Sequence, residues 1–377
     1  MNILIATDSY KGCLSSAEAG AAMAEGAAKA FPHAMIEVLP VSDGGEGMLD
    51  AFSACAHAEM VDVRVHDALM RPLTTCFAWQ RSVSTAFVET ALAAGLTQLE
   101  PEERNPMLTT TYGTGETVKA ALAAGATTVV IGLGGSSTND GGMGFASALG
   151  YRFVDDKGRV LEGRGCDLEK VACLFPDRGM QKRLAGVRFV AACDVASPLY
   201  GKQGAAWVFA AQKGASARQV EKLDDGLKHY DEVLSRYCGK EIGRLPGSGA
   251  AGGLGAALLG LFHAEMESGI RLLLQTDCFR IALERADLIL TGEGCLDVQT
   301  SMGKVASGLL EEGRKRGIPV CAVAGCVKNR REVERMGFHT VWAASPEGMP
   351  HSMAMRPDVA KENICRAVAG MLSSLRE

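Results

Sequence analysis

The sequence predicts an α/β fold in two domains: a Rossmann-like parallel sheet domain built from both chain ends, and an inserted second α/β domain. Three observations predict it. Short apolar, β-branched runs recur along the 377 residues, each followed by a Gly-rich or polar turn. Stretches with helical spacing of apolar residues lie between them. No low-complexity linker or internal repeat separates the pieces, so the domains are expected to be interleaved rather than strung in series.

The apolar runs are Asn2–Ala6, Thr127–Ile131, Phe189–Ala192, Asp287–Leu290, Val320–Ala324 and Thr340–Ala343. Runs this short, apolar on both faces, fit parallel strands covered by helices. Ser16–Phe31 reads as a helix that Ser15 or Ser16 can cap. Thr114–Ala124, Ala217–Tyr237, Lys304–Arg316 and Pro357–Leu375 show the same helical spacing. From Met35 to Thr90 the pattern is strand-like, and the alternation in VDVRVHDAL predicts half-buried antiparallel strands. The expected division is residues 1–64 and 281–377 for the Rossmann-like domain and 65–280 for the insertion.

Composition excludes several function classes. With 47% apolar and 22% charged residues, the chain is an ordinary globular one, not a disordered one. A net charge of −5 gives no field that would draw a nucleic-acid backbone, and 6% aromatics leave few stacking platforms for single strands. The longest uncharged runs are broken by glycine and polar residues, so they read as core rather than membrane spans. The start, MNILIATDSYKG, lacks a basic segment before an apolar stretch and does not read as a signal peptide. Twelve cysteines form no CxxC pair and no zinc spacing. They read as reduced thiols, several of them in the core, of a cytoplasmic protein. The histidines stand singly and suggest no metal site.

The chemistry is expected in loops that follow strands, because ligands of open α/β sheets bind beyond the carboxyl ends of the strands. TDSYKG offers Asp8, Ser9 and Lys11 directly after the first strand. Lys11 suits a carboxylate or a transferring phosphoryl group, which it would hold as a point charge, with a structural pair to Asp8 as the alternative. SDGGEG places Asp43 and Glu46 around two glycines, which suits a Mg²⁺ shell or a substrate hydroxyl. GLGGSSTNDGGMG surrounds Ser136, Asn139 and Asp140 with glycines that include Gly134 and Gly135. Between a strand and a helix, such a loop is expected to hold phosphate by its backbone N–H groups. It is neither a Walker A loop nor a GxGxxG fingerprint in phase. CDVASPLYGKQGA puts Asp194 at the end of a buried strand, a position suited to a general base or metal ligand, or to orienting a hydroxyl. GSGAAGGLGA is a further glycine-rich surface or a tight approach of a helix in the core. TGEGCLDVQTSMGK supplies Glu293 and Asp297, then Lys304 at a helix start, where phosphate is favoured. Asp43, Glu46, Glu293 and Asp297 are expected in one cleft, since Mg²⁺-assisted phosphoryl transfer needs carboxylates nearby. Gly-rich anion loops with spread carboxylates and no dinucleotide fingerprint favour phosphoryl transfer over hydride transfer.

Taken in order, DSYKGCLSS, SDGGEG, RNPMLTTTYGTGE, GLGGSSTNDGGMG, CDVASPL, KQGA, QKGA, GAAGGLGA and TGEGCLDVQT resemble the type-1 glycerate kinases of bacteria. The resemblance runs from the first strand to about Lys304 and more weakly to the C-terminus. It implies ATP-dependent phosphorylation of D-glycerate, usually at the 2-hydroxyl to give 2-phosphoglycerate, on a two-domain α/β fold with its cleft between the domains. The family commonly has Phe where Tyr10 stands, Asn where Ser197 stands, and Gly-Pro where Ala210 and Ala211 stand. The implied small molecules are D-glycerate, ATP and Mg²⁺, with no nucleic acid and no membrane; a homodimer is compatible. The alternatives are a kinase for a related small hydroxy acid, or a non-catalytic small-acid-binding protein on the same scaffold. Acidic residues in all four charged loops favour the enzyme.

Overall fold

The computed structural model describes residues 1–45, 47–297 and 305–375. Two compact units emerge. One comprises Met1–Asp43, Asp50–His57 and Ser268–Glu377; the other comprises Gly44–Leu49 and Ala58–Glu267. The long segment of the second unit starts at Ala58, where 65 was expected, and its strand Glu59–His66 is zipped along its length to Pro72–Gln80. Its end falls at Glu267, against the 280 expected.

The first unit carries a five-stranded sheet in the order Thr340–Ala343, Val320–Ala324, Leu288–Thr291, Asn2–Ile5, Met35–Val38. All four pairings are parallel. Side chains alternate between the two faces of each strand. Ile3, Ile5, Leu288 and Leu290 pack in one cluster with Met23 and Ala27 of helix Ser16–Ala30 and with Val368 and Met371 of helix Pro357–Ser374. Ile289 turns the other way, under Gly313 of helix Val305–Arg316. Both faces are therefore covered, which is why these strands read as continuous apolar runs.

The first helix is capped by Ser15, which forms a capping box with Glu18, a device worth about 1 kcal/mol. Ser16 does something else. Its hydroxyl donates to Thr7 O at 2.7 Å and accepts from Val41 N at 3.0 Å, so it ties two loops together. The stretch from Met35 to Thr90 is not strand throughout. Met48–Ala56 forms a helix, with Met48, Phe52 and Cys55 buried at helical spacing.

The second unit carries a six-stranded sheet in the order Glu265–Glu267, Arg188–Ala192, Thr128–Gly132, Thr85–Glu89, Pro72–Gln80, Glu59–His66. The first four strands are parallel, and the last two join antiparallel, as the alternation in VDVRVHDAL predicts. Phe145, Phe153, Leu227, Tyr230 and Leu258 belong to its core. No helix among the described residues is long and apolar enough to cross a membrane.

Candidate active site

In the first unit, strands Asn2–Ile5 and Leu288–Thr291 are neighbours, but the chain leaves them toward opposite edges of the sheet. Asn2–Ile5 is followed by Met35–Val38 on one side, and Leu288–Thr291 by Val320–Ala324 on the other. Such a switch point leaves a crevice beyond the carboxyl ends of the strands. The Thr7–Gly12 and Gly292–Asp297 segments occupy it, stitched by Asp8 N and Thr7 Oγ1, which both donate to Gly292 O at 2.9 Å. Gly292 is required here by proximity, since a Cβ at this position would stand 2.0 Å from Val323 O. The same carbonyl accepts from the Tyr10 hydroxyl at 2.7 Å. The Tyr10 hydroxyl thus adds a bond to the Val320–Ala324 strand, and burial raises its phenol pKa.

A cavity of about 700 Å³ opens at this crevice, lined by Asp8, Ser9, Lys11, Asp43, Glu293 and Asp297. Asp43 reaches it because Ser16 pins the preceding loop at Val41. The structure therefore brings together six residues singled out from the sequence, drawn from segments almost 300 positions apart. Glu46 and Lys304 lie outside the described residues. Lys11 Nζ donates to Asp43 Oδ2 at 2.8 Å, so its carboxylate partner is Asp43 and not Asp8. Asp8 is 7% exposed. Burial, then the charge of Asp43, and last that of Glu293 push its carboxyl up to about 7, against Lys11 and the Ser9 N–H. Burial pulls the Lys11 ammonium down, but Asp43, Asp8 and Glu293 outweigh it and hold it above the ordinary lysine value.

The donor set fits a hard cation in a limited way. Carboxylate oxygens suit Mg²⁺, which commonly keeps several waters and takes one or two carboxylates together with substrate phosphates. Among the described residues no three acidic, His or Cys side chains converge on a metal. These residues therefore suit a nucleotide-borne ion rather than a cage made by the protein alone.

The other expected site residues lie in the second unit. In the Gly132–Gly144 loop, expected to cradle phosphate by its backbone, several N–H groups are used inside the protein. Gly134 N donates to Gly44 O, Ser137 N to Ala94 O, and Gly141 N to Gly252 O. Gly134 must be glycine because a Cβ there would stand 2.3 Å from Gly45 Cα. Gly135 O accepts from Leu96 N. Asp140, expected to touch substrate or phosphate, is fully buried. Its carboxylate accepts from Thr111 N, Thr111 Oγ1, Gly142 N and Gly144 N. Burial raises its pKa against those bonds. Such a carboxylate braces the loop and has no surface left for a ligand. Asn139 is also fully buried, and its amide has no partner among the described residues. Asp194 follows strand Arg188–Ala192, with its carboxylate oxygens buried.

Two features escaped the sequence reading. Lys213 is 3% exposed and donates to Ser136 Oγ at 2.9 Å and Thr138 O at 2.7 Å. Burial pulls its ammonium down to about 7, with Asp140 acting in the opposite direction. A lysine inside the apolar AAQKGA run was the available signal. The second feature is that Cys295 and Cys326 line the cavity with their sulfurs 2.7 Å apart. Their separation in sequence gives no motif.

The chain matches the glycerate kinase family over residues 3–376. It is 39% identical over 365 residues to a glycerate kinase of Bacillus cereus, covering 97% of this chain and 95% of the relative. It is 36% identical over 376 residues to the glycerate 2-kinase of Escherichia coli, covering 100% and 98%. A solved structure from Salmonella typhimurium, assigned as glycerate kinase 2, superposes with a TM-score of 0.82 at 36% identity. That match covers 100% of this chain and 98% of the other.

Proposed function

The chain belongs to the glycerate kinase family and is a phosphotransferase with an alcohol group as acceptor; from that premise we propose that it transfers the γ-phosphoryl group of ATP to the 2-hydroxyl of D-glycerate, giving 2-phosphoglycerate. The observation that carries this reading is the meeting of Asp8, Lys11, Asp43 and Glu293 at one cavity. Phosphoryl transfer needs a cation facing the transferring group, carboxylates for a metal, and a group that takes the hydroxyl proton.

Asp8 supplies the last of these. A carboxylate desolvated and repelled up to about 7 is poised to accept a proton near neutral pH. As the glycerate oxygen bonds to phosphorus and the bond to ADP breaks, the hydroxyl proton passes to Asp8. Lys11, oriented by Asp43 at 2.8 Å, faces the phosphoryl group or the glycerate carboxylate as a point charge. Glu293 and Asp297 would hold Mg²⁺ directly or through water, neutralising charge on the β- and γ-phosphates. The apolar part of the same cavity, at Met349, Ala354, Met355 and Ile364, suits a nucleobase. Asp194 is proposed as a second catalytic carboxylate. A cytoplasmic location goes with this reading, and a homodimer is compatible with it.

The test is ADP release on D-glycerate, with the product assigned by phosphorus NMR. ADP together with 2-phosphoglycerate supports the proposal. The 3-phosphate would overturn the regiochemistry, and ATP left intact would overturn the reaction.

A further inference from the structure

All twelve cysteines are thiols, and Cys55 and Cys278 stand together at low exposure. Cys295 and Cys326 also stand together, and they line the cavity. Strands Cys295–Leu296 and Cys326–Val327 form a separate two-stranded parallel ladder in which these two cysteines are register partners. Cys326 N donates to Gly294 O at 3.1 Å and Lys328 N to Leu296 O at 2.8 Å, which fixes that register. Neighbouring strands lie about 4.7–4.9 Å apart, inside the range of about 4.4–6.8 Å that a disulfide spans between Cα atoms. The sulfurs already stand 2.7 Å apart. Closing a bond therefore needs side-chain adjustment and no backbone rearrangement. Cys326 is exposed and Cys295 half-buried, and both line the cavity that holds Glu293, Asp297 and Lys328. Among the described residues no third ligand joins them, which argues against a thiolate metal site.

We propose that Cys295 and Cys326 form a reversible disulfide when a hydroperoxide enters the cavity, and that this cross-link slows phosphoryl transfer. The exposed Cys326 sulfur attacks the peroxide oxygen, the O–O bond breaks, and Cys326 becomes a sulfenic acid with release of water or an alcohol. The Cys295 sulfur then displaces the sulfenic oxygen as water. Two thiols lose two electrons in all, the peroxide gains them, and both thiol protons leave in the released water or alcohol. A dithiol restores the pair by exchange. The cross-link pins the segment from Glu293 to Asp297 against the one that ends at Lys328, so carboxylates at the cavity can no longer adjust to a ligand. The effect on turnover rests on the phosphoryl-transfer reading, whereas the chemistry of the thiol pair does not.

The test treats the full chain with hydrogen peroxide, blocks remaining thiols with N-ethylmaleimide, and maps peptides by mass. The expected result is a linked peptide pair containing Cys295 and Cys326, lighter by about 2 Da than the two thiol peptides, which dithiothreitol separates. In parallel, kcat/KM for D-glycerate should fall at least about fivefold and recover with dithiothreitol, while peroxide-treated Cys326→Ser stays within about twofold of its untreated rate. Cys295→Ser serves the same purpose if Cys326→Ser does not fold. Both cysteines alkylated after peroxide would overturn the pair. A linked peptide with unchanged turnover, or equal inactivation of wild type and Cys326→Ser, would overturn the coupling to the site. If the reduced chain releases no ADP, the functional reading fails, and the peptide map still decides the thiol pair.

Discussion

Lys11 Nζ stands 2.8 Å from Asp43 Oδ2 at the mouth of a cavity, with the lysine side chain 74% exposed and the aspartate 21%. An ion pair this open to water contributes about 0–1 kcal/mol to folding. Its value to the protein therefore lies in where it holds the ammonium. The pair joins the loop after the first strand to the segment that follows the neighbouring strand Met35–Val38, and it faces Asp8 and Glu293.

Lys11→Met should separate the two roles that the sequence left open. The melting temperature should move by less than about 3 °C, since little stability resides in the pair. The kcat/KM for glycerate should fall by roughly 10²-fold or more. A large loss of stability with near-normal turnover would make Lys11 a structural residue.

Asp8 predicts a pH dependence of definite sign. Its carboxyl lies at about 7 in the folded chain against an ordinary 3.8. Between those values the unfolded chain has released the proton and the folded chain still holds it, so stability falls as pH rises through the window. Above about 7 the full cost of the buried charge is present. Asp8→Asn should therefore melt higher than wild type at pH 8 and close to it at pH 4, while turnover collapses. In the wild type, kcat/KM should rise with pH through about 7 as the base deprotonates. A variant less stable than wild type at pH 8 would mean that Asp8 supports the fold.

How much of this was legible follows from what each signal encodes. Apolar runs such as VCAVA report burial on both faces, and strand Val320–Ala324 appears where that run lies. In an α/β sheet the loops beyond the carboxyl ends of the strands share one end of the sheet, so Asp8, Asp43 and Glu293 could be grouped before any distance was known. The helix Met48–Ala56 was missed because strand-like stretches flank its short apolar pattern. For the Gly132–Gly144 loop, glycine density reported a close backbone approach but not its partner. That partner for Gly134 N is Gly44 O, not a phosphate. Cys295 and Cys326 were illegible because only strand register brings them together.

Asp194 tests the second unit's part in catalysis. It follows the buried strand Arg188–Ala192, and its carboxylate oxygens are themselves buried. Asp194→Asn keeps the shape and removes the charge. The expected loss in kcat is roughly 10²-fold or more, in the range of general-base contributions. Wild-type turnover in this variant would remove Asp194 from the mechanism.

Lys213 predicts the opposite slope from Asp8. Burial lowers its ammonium from 10.5 to about 7. Below about 7 both folded and unfolded chains hold the proton, and the cost of burying the charge is fully present. Between about 7 and 10.5 the unfolded chain binds a proton that the folded chain does not, so this group makes stability rise with pH. One proton contributes at most about 1.4 kcal/mol per pH unit. Lys213→Met removes the titration and also leaves Ser136 Oγ and Thr138 O without this donor, a loss of about 1–3 kcal/mol. Near pH 6 relief of the buried charge offsets part of that loss, so the two proteins should lie closest in stability there. From pH 7 to 9 the wild type should gain on the variant in urea unfolding. A gap that stays constant with pH would show that Lys213 keeps its proton throughout, stabilised by Asp140 more strongly than burial opposes it.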